Sequence, residues 1–148
     1  MQVREIMSDD LKCCTPELNL KQAAEMMIAC DCGAVPVVDR DDHRRPLGML
    51  TDRDIVCRAV AMGKSPLDTK VGQCMTSRVT TVPIDATVEE CCRLMERAQI
   101  RRVLVEDERG LLCGIISQAD IARRLPEELA GEVVHMISEP SEHSSAAV

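Results

Sequence analysis

The stretch GMLTDRDIV, residues 48–56, returns later in the chain as GIISQADIA, residues 114–122. Each copy runs glycine, two apolar residues, a hydroxyl residue, and an aspartate three positions beyond the hydroxyl. Apolar residues leading into Thr51-x-x-Asp54 and Ser117-x-x-Asp120 suit a strand that feeds a helix N-terminus. There the hydroxyl accepts from an unpaired backbone N–H, and the acid meets the positive end of the helix dipole. Met7-Ser8 likewise matches Met75-Thr76, 68 positions on. The same offset lays LKQAA (20–24) on VEECC (88–92) and AVPVVD (34–39) on RVLVED (102–107). After a loop two residues shorter in the second copy, the offset becomes 66 and the match continues through Ile55 and Ile121. The chain is two copies of one unit, and any account of it starts from that duplication.

Each copy reads strand, helix, strand, strand, helix, an α/β (α+β) unit. Asn19-x-x-Gln22 and Thr87-x-x-Glu90 are capping boxes and open a helix each. Leu20, Ala23, Ala24 and Met27, and again Val88, Cys91, Cys92 and Met95, fall at i, i+3, i+4, i+7, so each helix lays one apolar face on a sheet. Residues 35–38 and 103–105 are β-branched strands, with 47–50 and 111–116 as their hairpin partners. These elements predict a first domain at 1–63, a linker at 64–67 and a second domain at 68–125. A C-terminal helix at 126–138 follows, with Pro126 as its first residue, and then a disordered tail at 139–148.

Composition narrows the function. With 148 residues, 45% hydrophobic and 29% charged, the chain is long enough for one ordinary domain or for two small ones sharing a core. No apolar run approaches the length of a membrane span, and Glu5 interrupts the place where a secretory signal would begin, so a cytoplasmic protein is expected. A net charge of −7 disfavours a nucleic-acid partner, and the absence of Phe, Trp and Tyr excludes single-strand binding by aromatic stacking. No histidine or lysine lies within the repeated motif to act as a base, and no Gly-rich Walker-type loop is present, so catalysis is not expected.

The two junctions have a structural and a chemical reading. As helix N-caps they need no ligand. As strand-to-helix turns they also offer free N–H groups and a positive dipole end to a phosphate, while Asp54 and Asp120 are placed to accept from ribose hydroxyls. Gly48 and Gly114 fit either close packing or a hairpin requirement. Arg53 is able to clamp a phosphate in the first copy, where the second copy has Ala119, so the two sites are expected to be unequal.

The paired Gly-h-h-[Ser/Thr]-x-x-Asp segments, the Met-[Ser/Thr] start of each copy and the strand AVPVVD together resemble the tandem CBS-domain pair, or Bateman module. The resemblance spans about residues 3–124, and GMLTDRDIV followed by ADIARRLPEE is similar to small stand-alone bacterial CBS-pair proteins, including the hypoxic response type. It implies two domains related by a pseudo-twofold axis, assembled as homodimers, that bind AMP, ADP, ATP or S-adenosylmethionine in clefts between the copies. Asp54 with Thr51, and Asp120 with Ser117, would then hold ribose and phosphate. Arg101 and Arg102 would supply charge to the second site, and the base would lie against Val37, Met49, Val105 or Ile115, positions that core packing also explains. The expectation is a signal-sensing module with an adenosyl ligand, no resident cofactor, and an unidentified protein target. The alternatives are a thiol or metal sensor, or a ligand-free interaction module on the same scaffold.

Nine cysteines without a secretion signal argue against a disulfide framework. Seven of them, Cys14, Cys30, Cys32, Cys74, Cys91, Cys92 and Cys113, stand where the other copy has an apolar residue, as small hydrophobic filling predicts. Cys13 and Cys57, opposite Thr81 and Arg123, are the candidates for reactive thiols. Cys30-Asp31-Cys32 is the nearest approach to a metal-binding pair, but no second pair matches it and His43, His135 and His143 are scattered, so no metal site is expected.

Overall fold

The computed structural model describes residues 1–139. In the first repeat, helix α1 (Leu20–Cys30) precedes an antiparallel hairpin of β1 (Ala34–Val38) and β2 (Pro46–Thr51). Strand β2 enters α2 (Asp52–Ile55), which widens into a π-helical turn at Val56–Val60. After a short helix α3 (Val71–Cys74), the second repeat follows the same plan with β3 (Thr81–Pro83), α4 (Val88–Ala98), β4 (Arg102–Glu106), β5 (Leu112–Ser117) and α5 (Gln118–Arg124). Helix α6 (Glu127–Ser138) closes the described chain.

Both capping boxes form: the Gln22 N–H donates to Asn19 Oδ1 at 2.9 Å, and the Glu90 N–H to Thr87 Oγ1 at 3.2 Å. The helices they open bury the expected stripe, Leu20, Ala23 and Met27 on α1 and Val88, Cys91 and Met95 on α4. Strand β3 runs parallel to β4, as a strand–helix–strand crossover requires. The expected first strand of the first repeat is reduced to one parallel bridge at Cys14, whose N–H donates to Pro36 O at 2.9 Å and whose carbonyl accepts from Val38 N. Pro16, two residues on, lacks the donor needed to extend that pairing. At α6, Pro126 is the N-cap rather than the first helical residue. The expected tail at 139–148 lies outside the described residues, apart from Glu139.

The chain forms two compact units, and they exchange the starts of the repeats. One contains Met1–Asp9, Thr81–Arg109 and the described chain from Cys113 to Glu139; the other contains Asp10–Thr80 and Gly110–Leu112. Val3 and Ile6 are buried in the core of the unit built from the second repeat, with Val82, Cys91, Met95, Val103, Val105, Ile116 and Ile121. Val71 and Cys74, their equivalents 68 positions on, are buried in the core built from the first repeat, with Cys14, Leu20, Ala23, Met27, Val35, Val37 and Leu50. Each unit therefore completes its core with the opening turn of the other repeat.

The repeated glycines explain how those turns are received. Met49 and Thr76 exchange two backbone hydrogen bonds, N to O at 3.0 and 2.9 Å. A Cβ on Gly48 would lie 2.4 Å from the Thr76 carbonyl oxygen. Ser8 and Ile115 make the matching pair at 2.8 and 2.9 Å, and a Cβ on Gly114 would lie 2.5 Å from Met7 Sδ. Close packing, rather than a hairpin conformation, accounts for both glycines.

Candidate functional site

Strands β2 and β5 deliver their last residues, Thr51 and Ser117, in extended conformation as N-caps of α2 and α5. In the first repeat the Asp54 N–H donates to Thr51 Oγ1 at 3.1 Å, and the Thr51 N–H donates to Asp54 Oδ2 at 2.9 Å. In the second, Asp120 N–H donates to Ser117 Oγ at 3.1 Å and Ser117 N–H to Asp120 Oδ2 at 2.8 Å. Each hydroxyl-x-x-aspartate is thus a reciprocal capping box, with one carboxylate oxygen committed to the backbone. The other oxygen faces a cation: Asp54 Oδ1 is 3.8 Å from Arg58 Nε, and Asp120 Oδ1 is 3.5 Å from an Arg123 guanidinium nitrogen. The two aspartate side chains are 14% and 25% exposed, so neither carboxylate is sealed in a core.

The junctions differ in what surrounds them. Asp52, the first residue of α2, donates its N–H to Gly33 O at 2.9 Å; its counterpart Gln118 donates to Arg101 O at the same distance. Gln118 also reaches α6, its side-chain amide 3.4 Å from Val134 O and from Ser138 Oγ. Arg58 has a structural task that the sequence did not disclose. Its guanidinium donates to the carbonyls of Cys74 and Met75 at 3.2 and 3.0 Å, capping the C-terminus of α3 while standing beside Asp54. The π-helical turn containing Arg58 carries the i to i−5 bonds Ala61 N to Val56 O and Lys64 N to Ala59 O, both 2.9 Å. Such turns recur at functional sites.

Of the other residues expected to meet a ligand, Arg53, Arg101 and Arg102 are exposed, and Met49 and Ile115 are half-buried beside the received turns. Val37 and Val105 are fully buried in the two cores. They are core residues here and offer no surface to a base, a correction that follows from β1 and β4 being covered on both faces. A cavity of about 350 Å³ in the unit built from the first repeat is lined by Leu11, Cys13, Thr15, Val38, His43, Arg44 and Leu112. It includes none of the residues expected to hold a ligand, and the junction chemistry rather than that hollow marks the candidate site.

The cysteines divide differently from the sequence expectation. Cys30 and Cys32 are joined by a disulfide, with Cα atoms 5.4 Å apart, so these two are not simple packing residues. Cys14, Cys74 and Cys91 are buried as expected. Burial pushes the thiols of Cys14 and Cys91 up to about 12, with a neighbouring cysteine adding to each. Burial also raises Cys13, which makes it a poor nucleophile, whereas Cys57 is exposed. Among the described residues, no group of three or more His, Cys, Asp or Glu side chains is placed to hold a metal ion, and no helix is long and apolar enough to cross a membrane.

Twin β-strand-to-helix junctions of this form, on repeated units that exchange their opening turns, define a tandem CBS pair. The CBS domain pattern matches residues 3–60 and 71–127, and the chain belongs to that family. It is 39% identical over 137 residues to hypoxic response protein 1 of Mycobacterium tuberculosis, covering 93% of this chain and 94% of that one. A crystal structure of hypoxic response protein I with two coordinated zinc ions superposes with a TM-score of 0.74 at 38% identity, over 85% of this chain and all of that chain. The CBS domain pair of protein MJ0100, solved in complex with 5′-methylthioadenosine and S-adenosyl-L-methionine, superposes at 0.75 with 26% identity, over 89% of this chain and 98% of that one.

Proposed function

We propose that this CBS pair is a non-catalytic sensor that binds an adenosine-containing ligand, of the AMP, ADP, ATP, S-adenosylmethionine or methylthioadenosine class, at the Thr51–Asp54 and Ser117–Asp120 junctions. The observation that supports this most is the division of labour within each aspartate. Oδ2 completes the capping box, and Oδ1 is left beside an arginine, able to accept from a ribose hydroxyl. The CBS pair that carries adenosyl ligands, at 26% identity, supports the choice of ligand class. Arg53 and Arg58 flank the first junction, so its affinity for a phosphorylated ligand exceeds that of the second, where Ala119 replaces Arg53. Self-association accompanies this reading: Val56, Val60 and Met62 are 56, 60 and 69% exposed along one short segment, an apolar surface suited to a second copy.

Ligand changes the output only in so far as it binds one arrangement of the protein better than another. The test is a thermal-unfolding series with the named compounds. Saturation at a hundred times the dissociation constant adds about 2.7 kcal/mol, a rise of roughly 5–10 °C for a chain of this size. With no Trp, Tyr or Phe, the protein is nearly transparent where adenine absorbs, so a co-purified nucleotide would also dominate its ultraviolet spectrum. No rise with any compound, on protein shown to be free of bound adenine, would rule out the adenosyl class. Zinc is a property of the hypoxic response protein crystal structure; with no cluster of three donors among the described residues, it is not the favoured reading here.

A further inference from the structure

The two repeats supply an internal control for the Cys30–Cys32 bond. Helix α1 ends with Asp31 in the left-handed region at φ 50°, its N–H donating to Ile28 O at 3.3 Å and the next N–H, of Cys32, to Met27 O at 3.0 Å. Helix α4 ends in the same turn without any cysteine: Gln99 has φ 52°, its N–H donates to Glu96 O at 3.2 Å, and Ile100 N–H donates to Met95 O at 3.1 Å. Ala98 and Ile100 occupy the places of Cys30 and Cys32. The fold therefore makes this turn with or without the covalent link, and the link is an addition peculiar to the first repeat. It lies at the surface, with Asp31 exposed and both cysteines only half-buried, where a disulfide is open to exchange. One residue beyond Cys32, the Gly33 carbonyl accepts the N–H of Asp52, the first residue of the helix that carries Asp54.

We propose that Cys30 and Cys32 form a reversible redox site, whose closure steadies the Gly33–Asp52 contact and whose opening loosens the first junction alone. Closure proceeds by exchange with a small-molecule disulfide. One cysteine thiolate attacks a sulfur of that disulfide, forming a mixed disulfide and expelling the first thiolate. The second cysteine thiolate attacks the protein sulfur and expels the other. Two protein thiols are oxidised, one disulfide is reduced to two thiols, and the two protons pass to the expelled thiolates through water. Reduction by a dithiol is the reverse.

The local effect does not depend on the ligand; the effect on affinity rests on the adenosyl reading above, and the experiment separates the two. The full chain is equilibrated across mixtures of dithiothreitol and its oxidised form, then alkylated under denaturing conditions and mapped. The peptide carrying Cys30 and Cys32 should pass from no label to two, while the other seven cysteines are labelled throughout and the circular dichroism is unchanged. Hydrogen exchange of the Asp52 amide should be about tenfold faster in the reduced protein and in a Cys30→Ser, Cys32→Ser variant. The equivalent Gln118 amide, bonded to Arg101 O in the cysteine-free turn, should not change. Failure of the pair to close at any ratio, loss of the fold on opening, or equal acceleration of Asp52 and Gln118 overturns the proposal. S-adenosylmethionine titrated against both forms should bind the first junction roughly tenfold more weakly when reduced. Equal affinity in the two forms removes the coupling; no binding to either form sinks the ligand reading and leaves the amide comparison to decide the redox site.

Discussion

Replacing Gly48 with alanine tests how each unit receives the opening turn of the other repeat. The added methyl carbon would sit 2.4 Å from the Thr76 carbonyl oxygen, and that oxygen is main chain, held by the Met49 N–H at 3.0 Å. Relief requires the segment at Met75 and Thr76 to move away. Such overpacking costs about 1–3 kcal/mol, and weakening the two Met49–Thr76 bonds adds about 1 kcal/mol or more. At Gly114 the nearest atom is Met7 Sδ at 2.5 Å, the far end of a flexible side chain, and the Ser8 carbonyl oxygen is at an easier 3.2 Å. Gly114→Ala should therefore cost only about 1 kcal/mol. Urea unfolding followed by far-ultraviolet circular dichroism gives both values, tryptophan fluorescence being unavailable to this chain. Gly48→Ala should lower the midpoint at least twice as far as Gly114→Ala with the slope unchanged. Equal losses, or a greater loss at Gly114, would refute the argument from backbone approach.

Three further outcomes follow from the same geometry. Cys14 and Cys91 are held neutral in the fold, pushed up to about 12 from 9.0, so their contribution is complete below pH 9 and is lost as pH rises from 9 towards 12. Unfolding at pH 10 should show roughly 1.4 kcal/mol less stability per thiol than at pH 8, and a Cys14→Ala variant should show a shallower fall. Arg58→Met removes the donor to the Cys74 and Met75 carbonyls and should lower the unfolding free energy by about 1–2 kcal/mol, whereas Arg123→Met, whose guanidinium is largely exposed, should be nearly neutral in the same urea titration. Val60→Asp places a charge in the exposed apolar segment of the first repeat and should shift light-scattering mass towards the monomer without lowering the melting temperature of dilute protein; an unchanged mass would exclude that surface from self-association.

Local chemistry made most of the secondary structure legible. Asn19-x-x-Gln22 and Thr87-x-x-Glu90 state their own hydrogen bonds, and the apolar spacing from Leu20 and from Val88 names the buried face of each helix. The exchange of opening turns was not legible, because Val3 and Ile6 present the same apolar pattern as Val71 and Cys74, and either pair would fill either core. The offset of 68 aligned them without saying which core each enters. The capping pairs Thr51–Asp54 and Ser117–Asp120 were legible because their spacing is short and repeated. Arg58 was missed because its partners, the carbonyls of Cys74 and Met75, are sixteen and seventeen residues away and carry no side-chain signature. Cys30 and Cys32 matched apolar residues in the second repeat, and that match hid the bond between them. Val37 and Val105 show the converse: their apolar strand positions suited a ligand wall as well as a core, and the sheets bury both.

The most direct test titrates S-adenosylmethionine, 5′-methylthioadenosine and AMP, by calorimetry, into the wild type and into Asp54→Asn and Asp120→Asn. Asparagine keeps an oxygen for the capping N–H of Thr51 or Ser117 and removes the charge that would hold a ribose, so the fold is retained while the site is altered. At least one compound should bind the wild type and lose about tenfold to a hundredfold in affinity in each variant, more at Asp54 than at Asp120. Affinities unchanged by both substitutions would show that the capped junctions are helix caps and nothing more.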